Sequence, residues 1–323
     1  ACSKAEGEET LLEQLGIVVQ TNSKLADEIE DACVIGTTAW GFSRDDFANR
    51  FDYLFIDEAG QVSVANLIAI SRSSRNLILM GDQMQLGQPT QASHPAESGL
   101  SILDYLLHKT PTIPDDRGVF LGTTFRMHPE VNRFISEHIY DGKLQPATET
   151  AKRQILVPDD YQGPLNKPAG IVFIPVNHQG NSQSSEEEVL QIVHLRNELI
   201  GRTLLNTDGS QRKVTHSDIL YVAPYNHQVS LLRKALGDEA KVGSVDKFQG
   251  QEAPIVIISM CSSQADDSPR GMDFIFDKNR LNVAVSRAQS LAVIVANPNL
   301  TQASISHVEQ VSKVNLMAAL MQE

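Results

Sequence analysis

Tyr53-Leu-Phe-Ile-Asp57-Glu58-Ala-Gly60 and Leu77-Ile-Leu-Met-Gly81-Asp82-Gln-Met-Gln85-Leu86 are two apolar runs, each ending on carboxylates. A strand buried inside a parallel sheet reads as a continuous hydrophobic stretch, because both of its faces are covered. Open α/β sheets hold ligands beyond the carboxyl ends of such strands. Asp57 and Glu58 are therefore expected to face a crevice. One carboxylate there can hold Mg²⁺ and the other can handle a water, since consecutive residues of an extended chain project in different directions. Those are two of the tasks of phosphoryl transfer. The glycine-rich GxxxxGK[ST] loop that cradles phosphates occurs nowhere in the chain.

Outward from these runs, short apolar stretches alternate with helical periods, the signature of a parallel α/β sheet. Strands are expected at 33–36, 53–56 and 77–80, followed by a helix at 99–108. The Pro-, Asp- and Gly-rich stretch 110–118 reads as a connection, which divides the chain into domains 1–117 and 118–323. The second part is expected to hold strands at 119–121, 171–176, 219–223, 255–259 and 291–296. Helices are expected at 129–139, 186–200, 226–236, 279–288 and 312–321, with an irregular segment at 141–167.

At 323 residues the chain has room for two cores. No apolar run reaches the roughly 18 residues of a transmembrane helix, so no membrane contact is expected. Residues 1–9 hold neither an apolar signal core nor an initiator Met, and the chain is expected to be a piece of a longer protein. Cys2, Cys33 and Cys261 are far apart and form no CxxC pair. That argues against a zinc site or a disulfide framework and for a cytoplasmic location. The formal charge of −13 excludes a wholly basic nucleic-acid coat but leaves room for a local basic groove. No HExxH, triad spacing or GxSxG elbow is present.

Other stretches carry groups suited to a nucleotide. Gln85 is an uncharged donor and acceptor that could sense a γ-phosphate or its water, while Asp82 could simply cap a helix. In Phe125-Arg126-Met-His-Pro129, Pro129 suits a helix start, Arg126 could fork onto phosphate oxygens, and Phe125 offers a stacking face. A surface Arg and a core Phe are the plainer reading. In Val245–Glu252, Gly250 permits close backbone approach and Glu252 could accept from a ribose hydroxyl. Asn279, Asn282, Val283 and Ser286 share one side of a helix, and Arg280 and Arg287 are spaced to share a face. Snorkelling arginines on an amphipathic helix would look the same. Ser185 followed by Glu188 matches a capping box, which competes with any ligand role for Glu188.

In this order the blocks resemble the motifs of superfamily 1 helicases, in the 5′-to-3′ branch that includes the nonsense-mediated-decay helicase. Ile35-Gly-Thr37-Thr38 resembles motif Ic, Asp57–Gln61 motif II, Gly81–Leu86 motif III, Phe125–Pro129 motif IV, Val245–Glu252 motif V, and Asn282–Ala288 motif VI. Ala223-Pro-Tyr-Asn-His-Gln228 resembles a further block. The likeness runs from about Cys33 to Pro298. Phe51–Ala65, Ser93-His-Pro95, Gly180–Gln183 and Ser268–Met272 are also similar to bacterial proteins in which a RecB-like nuclease precedes such a helicase. The resemblance implies two RecA-like parallel-sheet domains of the P-loop NTPase superfamily, the first incomplete at its N-terminus, with ATP bound between them.

The resemblance also implies roles. Asp57 would hold Mg²⁺ through water, Glu58 would be the catalytic base, and Gln85 would sense the γ-phosphate. Arg126 and Arg287 would be arginine fingers, and Phe125 would stack on adenine. Glu188, Gly250 and Glu252 would lie near the ribose or γ-phosphate. Thr37, Thr38, Pro224, Ser244 and Val245 would line the path of single-stranded nucleic acid, DNA rather than RNA, with a nuclease linked upstream. Motif I with its Lys and Thr is missing, as is the upstream adenine-recognition Gln. The expectation is a helicase whose full-length form hydrolyses ATP and whose present chain alone barely does. The rival is a nucleic-acid- or partner-binding module without ATP hydrolysis.

Overall fold

The computed structural model describes residues 1–3, 9–28, 32–88, 94–108 and 110–323. Residues 4–8 of the start and Ser93 of the Ser93-His-Pro95 stretch lie outside the described residues. The chain forms two compact units, Ala1–Gln83 with Gly87–Thr110, and Met84–Leu86 with Pro111–Glu323.

In the first unit, β1 (Phe51–Ile56) and β2 (Ser74–Leu79) pair in parallel, from Phe51 opposite Ser74 to Ile56 opposite Leu79. The connection is α1 (Val64–Ser71), whose N-cap Ser63 accepts from the Asn66 N–H at 3.2 Å. Such a cap satisfies one of the donors that a helix start leaves open. Leu54 and Ile56 are buried, whereas Tyr53 and Phe55 are 59% and 60% exposed. The run expected to be covered on both faces is covered on one. Alternation along an extended strand decides which residues go in, although every residue from 53 to 56 is apolar. Phe42, Phe47 and Phe51 cluster with ring centroids 5.6–5.8 Å apart. The helix expected at 99–108 is α2 (Ile102–Leu107), shortened because Ser101 is its cap. The strand expected at 33–36 does not form: only Gly36 makes an isolated bridge, and Val34 is 78% exposed.

The second unit is a doubly wound α/β layer. Its sheet is all parallel, in the order β5 (Lys241–Gly243), β4 (Ile219–Val222), β6 (Ala253–Ser259), β7 (Ala288–Ala296), β3 (Gly170–Pro175). The central strands are Val-, Ile- and Leu-rich because both faces are covered. One core places Leu220, Val222, Val256, Ile258, Ala292 and Ile294 with residues of α3 (Pro129–Ile139), α6 (Lys278–Ser286) and α7 (Val308–Leu320). The other places Ile219, Tyr221, Ile255, Ile257, Leu291 and Val293 with residues of α4 (Glu186–Leu199) and α5 (Asn226–Leu236). The period-2 alternation of each strand therefore feeds two separate cores.

Residues 119–121, expected as a strand, form none: Val119 and Leu121 are more than 80% exposed. Within the expected irregular segment, Gln154–Ile155 joins Thr203–Leu205 and Gln211–Lys213 in an antiparallel arm. Arg212 anchors that arm by donating to both oxygens of buried Asp218, at 2.6 and 2.5 Å. Burial alone would raise the Asp218 carboxyl, but Arg212 and Thr215 outweigh it and hold it below the usual aspartate value. No described helix is long and apolar enough to cross a membrane.

Candidate functional site

In the first unit, Asp57 and Glu58 stand exposed where β1 ends. Glu58 takes a left-handed backbone, φ +52°, which is rare for a residue with a Cβ. Asp57 Oδ1 accepts the Glu58 N–H at 3.0 Å, and the Gln61 amide donates to Glu58 Oε2 at 3.4 Å. A backbone outlier at a strand end is the kind of strain that clusters at functional sites. The end of β2 is stitched to this turn, with Ala59 N–H donating to the Met80 carbonyl at 2.8 Å. The two glycines here have a steric reason. A Cβ on Gly60 would fall 2.7 Å from the Asp82 carbonyl oxygen, and one on Gly81 would fall 2.8 Å from the Ala59 nitrogen. Gly60 thus lets two turns meet.

Asp57 fits a hydrated Mg²⁺. Oδ1 accepts from an amide, the residue is exposed, and this ion takes one or two carboxylates with waters and phosphate oxygens. Thr37 donates to Asn22 Oδ1 at 3.0 Å, and Thr38 sits exposed at the start of a short helix, Ala39–Phe42. Trp40, which belongs to none of the motifs above, is 79% exposed beside them and offers a stacking face.

In the second unit, the Met84–Leu86 segment is gripped by α6. Asn279 donates to the Gln85 carbonyl and Asn282 to the Met84 carbonyl, each at 2.8 Å. The side shared by these two asparagines is thus a backbone clamp. Arg126 Nε donates to Glu252 Oε2 at 2.6 Å, and Nη1 reaches the Ser286 carbonyl at 3.4 Å. The Gln289 amide holds Glu252 Oε1 at 2.7 Å. Burial pushes the Glu252 carboxyl up, but hydrogen bonds from Arg126 and Gln289 and the charges of Arg126 and Arg153 bring it below the usual glutamate value. It is therefore a carboxylate at neutral pH, and it fixes the guanidinium. Arg153 donates to the Phe125 carbonyl at 3.2 Å and to that of Arg126. No local motif announces Arg153 or Gln289. Both lie outside the Arg126 motif, and only the fold brings Arg153 to the Arg126 carbonyl and Gln289 to Glu252. Phe125 is 65% exposed and available for stacking. Gly250 is exposed with φ +77° and has open space where a Cβ would lie, so backbone angle rather than crowding requires it.

Three expected residues are placed otherwise. Glu188 is fully buried. Its carboxylate meets His178 Nε2 at 3.0 Å, the Ser259 hydroxyl at 2.5 Å and the Cys261 N–H at 3.0 Å, a set that uses its acceptors inside the core. Its own N–H donates to Ser185 Oγ at 3.1 Å, so the capping reading holds on that side. The return bond is absent from the box, because the Ser185 N–H goes to Gln228 instead. Arg287 is 2% exposed and donates to the carbonyls of Val283 and Gln251, both at 3.2 Å. One of these acceptors is a carbonyl of the last turn of α6 and the other lies outside that helix, so Arg287 ties the two together. Val245 is 7% exposed and its side chain belongs to the core. Pro224 and Ser244 do line an open cavity.

The AAA domain family matches residues 99–299, and a second AAA domain family matches residues 6–94. The chain is 30% identical over 268 residues to the DNA polymerase alpha-associated DNA helicase A of Schizosaccharomyces pombe, covering 80% of this chain and 39% of that one. It is 28% identical over 289 residues to the regulator of nonsense transcripts 1 homolog of Arabidopsis thaliana, covering 86% of this chain and 22% of that one. It thus spans well under half the length of these relatives. Among solved structures, the arterivirus nonstructural protein 10 helicase with DNA is similar with TM-score 0.40 and 17% identity, over 82% of this chain and 42% of that one. By the family match over residues 99–299 the chain belongs to the AAA domain family.

Proposed function

We propose that the full-length protein hydrolyses ATP to drive movement along single-stranded nucleic acid, DNA before RNA, in the cytoplasm. The observation that carries this reading is the exposed Asp57–Glu58 pair on a strained strand-end turn. Magnesium, when bound at Asp57, supplies charge neutralisation for the phosphates. Glu58 orients the attacking water and takes its proton. Gln85, its backbone held by Asn279, senses the γ-phosphate or its water. Arg126, steadied by Glu252, stabilises charge on the transferred phosphoryl group. Phe125 stacks on the adenine, and Thr37, Thr38, Pro224 and Ser244 touch the strand. Arg287 braces the end of α6 and the Gln251 carbonyl beside Glu252.

The chain has no GxxxxGK[ST] loop, so alone it is expected to turn ATP over barely. The second reading is a binding module without hydrolysis. ATP turnover by the full-length protein, measured with and without single-stranded DNA and RNA, separates the two. Strand-stimulated hydrolysis is expected. Strand binding without any hydrolysis would leave the module.

A further inference from the structure

The second unit holds an open cavity of about 410 Å³ whose lining includes Tyr225, Ser244, Asp246, Arg270, Phe274 and Arg280. Phe274 is its organising group. The Arg270 guanidinium carbon lies over that ring at 4.4 Å from the centroid, and that of Arg280 at 4.6 Å. The Tyr225 ring stands 5.4 Å from Phe274, its hydroxyl bonded to Ser268. Arg280 is tied down by Asp246, at 3.2 and 3.4 Å. Arg270 is exposed and has no ion-pair partner among the described residues.

Asp246 offsets the charge of Arg280, so Arg270 is the uncompensated arginine of this planar surface, on a chain of net charge −13. Ring contact restricts Arg270 to a flat pose at little entropic cost, leaving one guanidinium face and its N–H edge for a ligand. A nucleobase stacks on such a plane, and a phosphate binds such an edge. The start of α5 adds to this. Asn226 and His227 line the same cavity, and the N-cap Tyr225 gives no side-chain bond to the first-turn N–H groups. The positive end of the helix therefore faces the same space.

We propose that this cavity seats one nucleotide of the bound strand. Its base stacks on the Arg270–Phe274 pair, and its phosphate lies toward Arg280 and the first turn of α5. The proposal deepens the strand-binding reading above and rests on it. Every base has a π-face, so the seat tolerates any sequence.

The test is fluorescence anisotropy of labelled dT12 and rU12 on the full-length protein, with thermal melting as the check on folding. Losing one stacked base by alanine substitution corresponds to roughly 5–150-fold in affinity. Phe274→Ala is expected to weaken dT12 binding about 10-fold. Arg270→Lys, which keeps charge but loses the plane, is expected to weaken it while preserving the salt slope. Arg270→Ala is expected to lower that slope by about one. An abasic dodecamer should bind wild type more weakly and should not discriminate Phe274→Ala. Wild-type affinity in both Phe274→Ala and Arg270→Lys overturns the seat while leaving strand binding intact. Displacement of dT12 by millimolar AMP would make it a free-nucleotide site and overturn the strand assignment. Failure of wild type to bind any strand overturns both readings.

Discussion

Replacing Arg126 by alanine is expected to lower ATP turnover by the full-length protein about 10³–10⁵-fold, the range for removing a phosphate-stabilising arginine. The chemistry asks for a planar fork on charge that develops during transfer, so the loss should fall on kcat more than on KM. Arg126 is suited to this because its placement is settled in advance. Glu252 holds Nε at 2.6 Å, and Arg153 holds the backbone carbonyls on either side of it. Arg126→Lys should not rescue, since an ammonium cannot keep the Glu252 contact and also fork onto phosphate. Glu252→Gln should give a smaller loss, about 10-fold, because it loosens the guanidinium without removing it. Steady-state turnover of the three variants checks this. Equal turnover by Arg126→Ala and wild type would remove Arg126 from the chemistry.

Glu188→Ala is expected to destabilise the second unit by about 3–5 kcal/mol, the cost of breaking a buried, hydrogen-bonded charge cluster. The deletion leaves the Cys261 N–H, the Ser259 hydroxyl and the His178 ring without their shared acceptor in a site closed to solvent. In a unit of this size that corresponds to a melting shift of roughly 10 °C. Glu188→Gln keeps part of the network and should lose less. Thermal and urea unfolding provide the measure, beside ATP affinity of the full-length protein. A variant that melts normally but binds ATP poorly would restore Glu188 to the nucleotide.

The two kinds of residue differ in how far the sequence reveals them. The strands of the second unit were legible, because runs such as Ile255 to Ser259 are apolar on both faces and lie in the middle of the sheet. The three-residue strand Lys241–Gly243 was not, since it is too short to show a period. Residues 33–36 and 119–121 are apolar yet form no strand, a reminder that composition states a preference and tertiary pairing grants it. The acid pair was legible from its place at a strand end, whereas the left-handed backbone of Glu58 was not. Arg126 could be named, but its keeper Glu252 is 126 residues away and Gln289 further still. Arg270 and Arg280 lie close to Phe274 in sequence, but they flank a short helix, Met272–Ile275, and a turn, so no single helical period reveals that both meet the ring. Glu188 carried both readings in sequence, and burial decided for the core.

The central claim is that the carboxylates at the end of β1 handle the water that attacks ATP. Single-turnover hydrolysis by the full-length Glu58→Gln protein, with nucleotide binding followed in parallel, reads it directly. The amide keeps the shape and removes the base, so binding should persist while hydrolysis falls about 10²–10⁴-fold. Hydrolysis at the wild-type rate would contradict the claim.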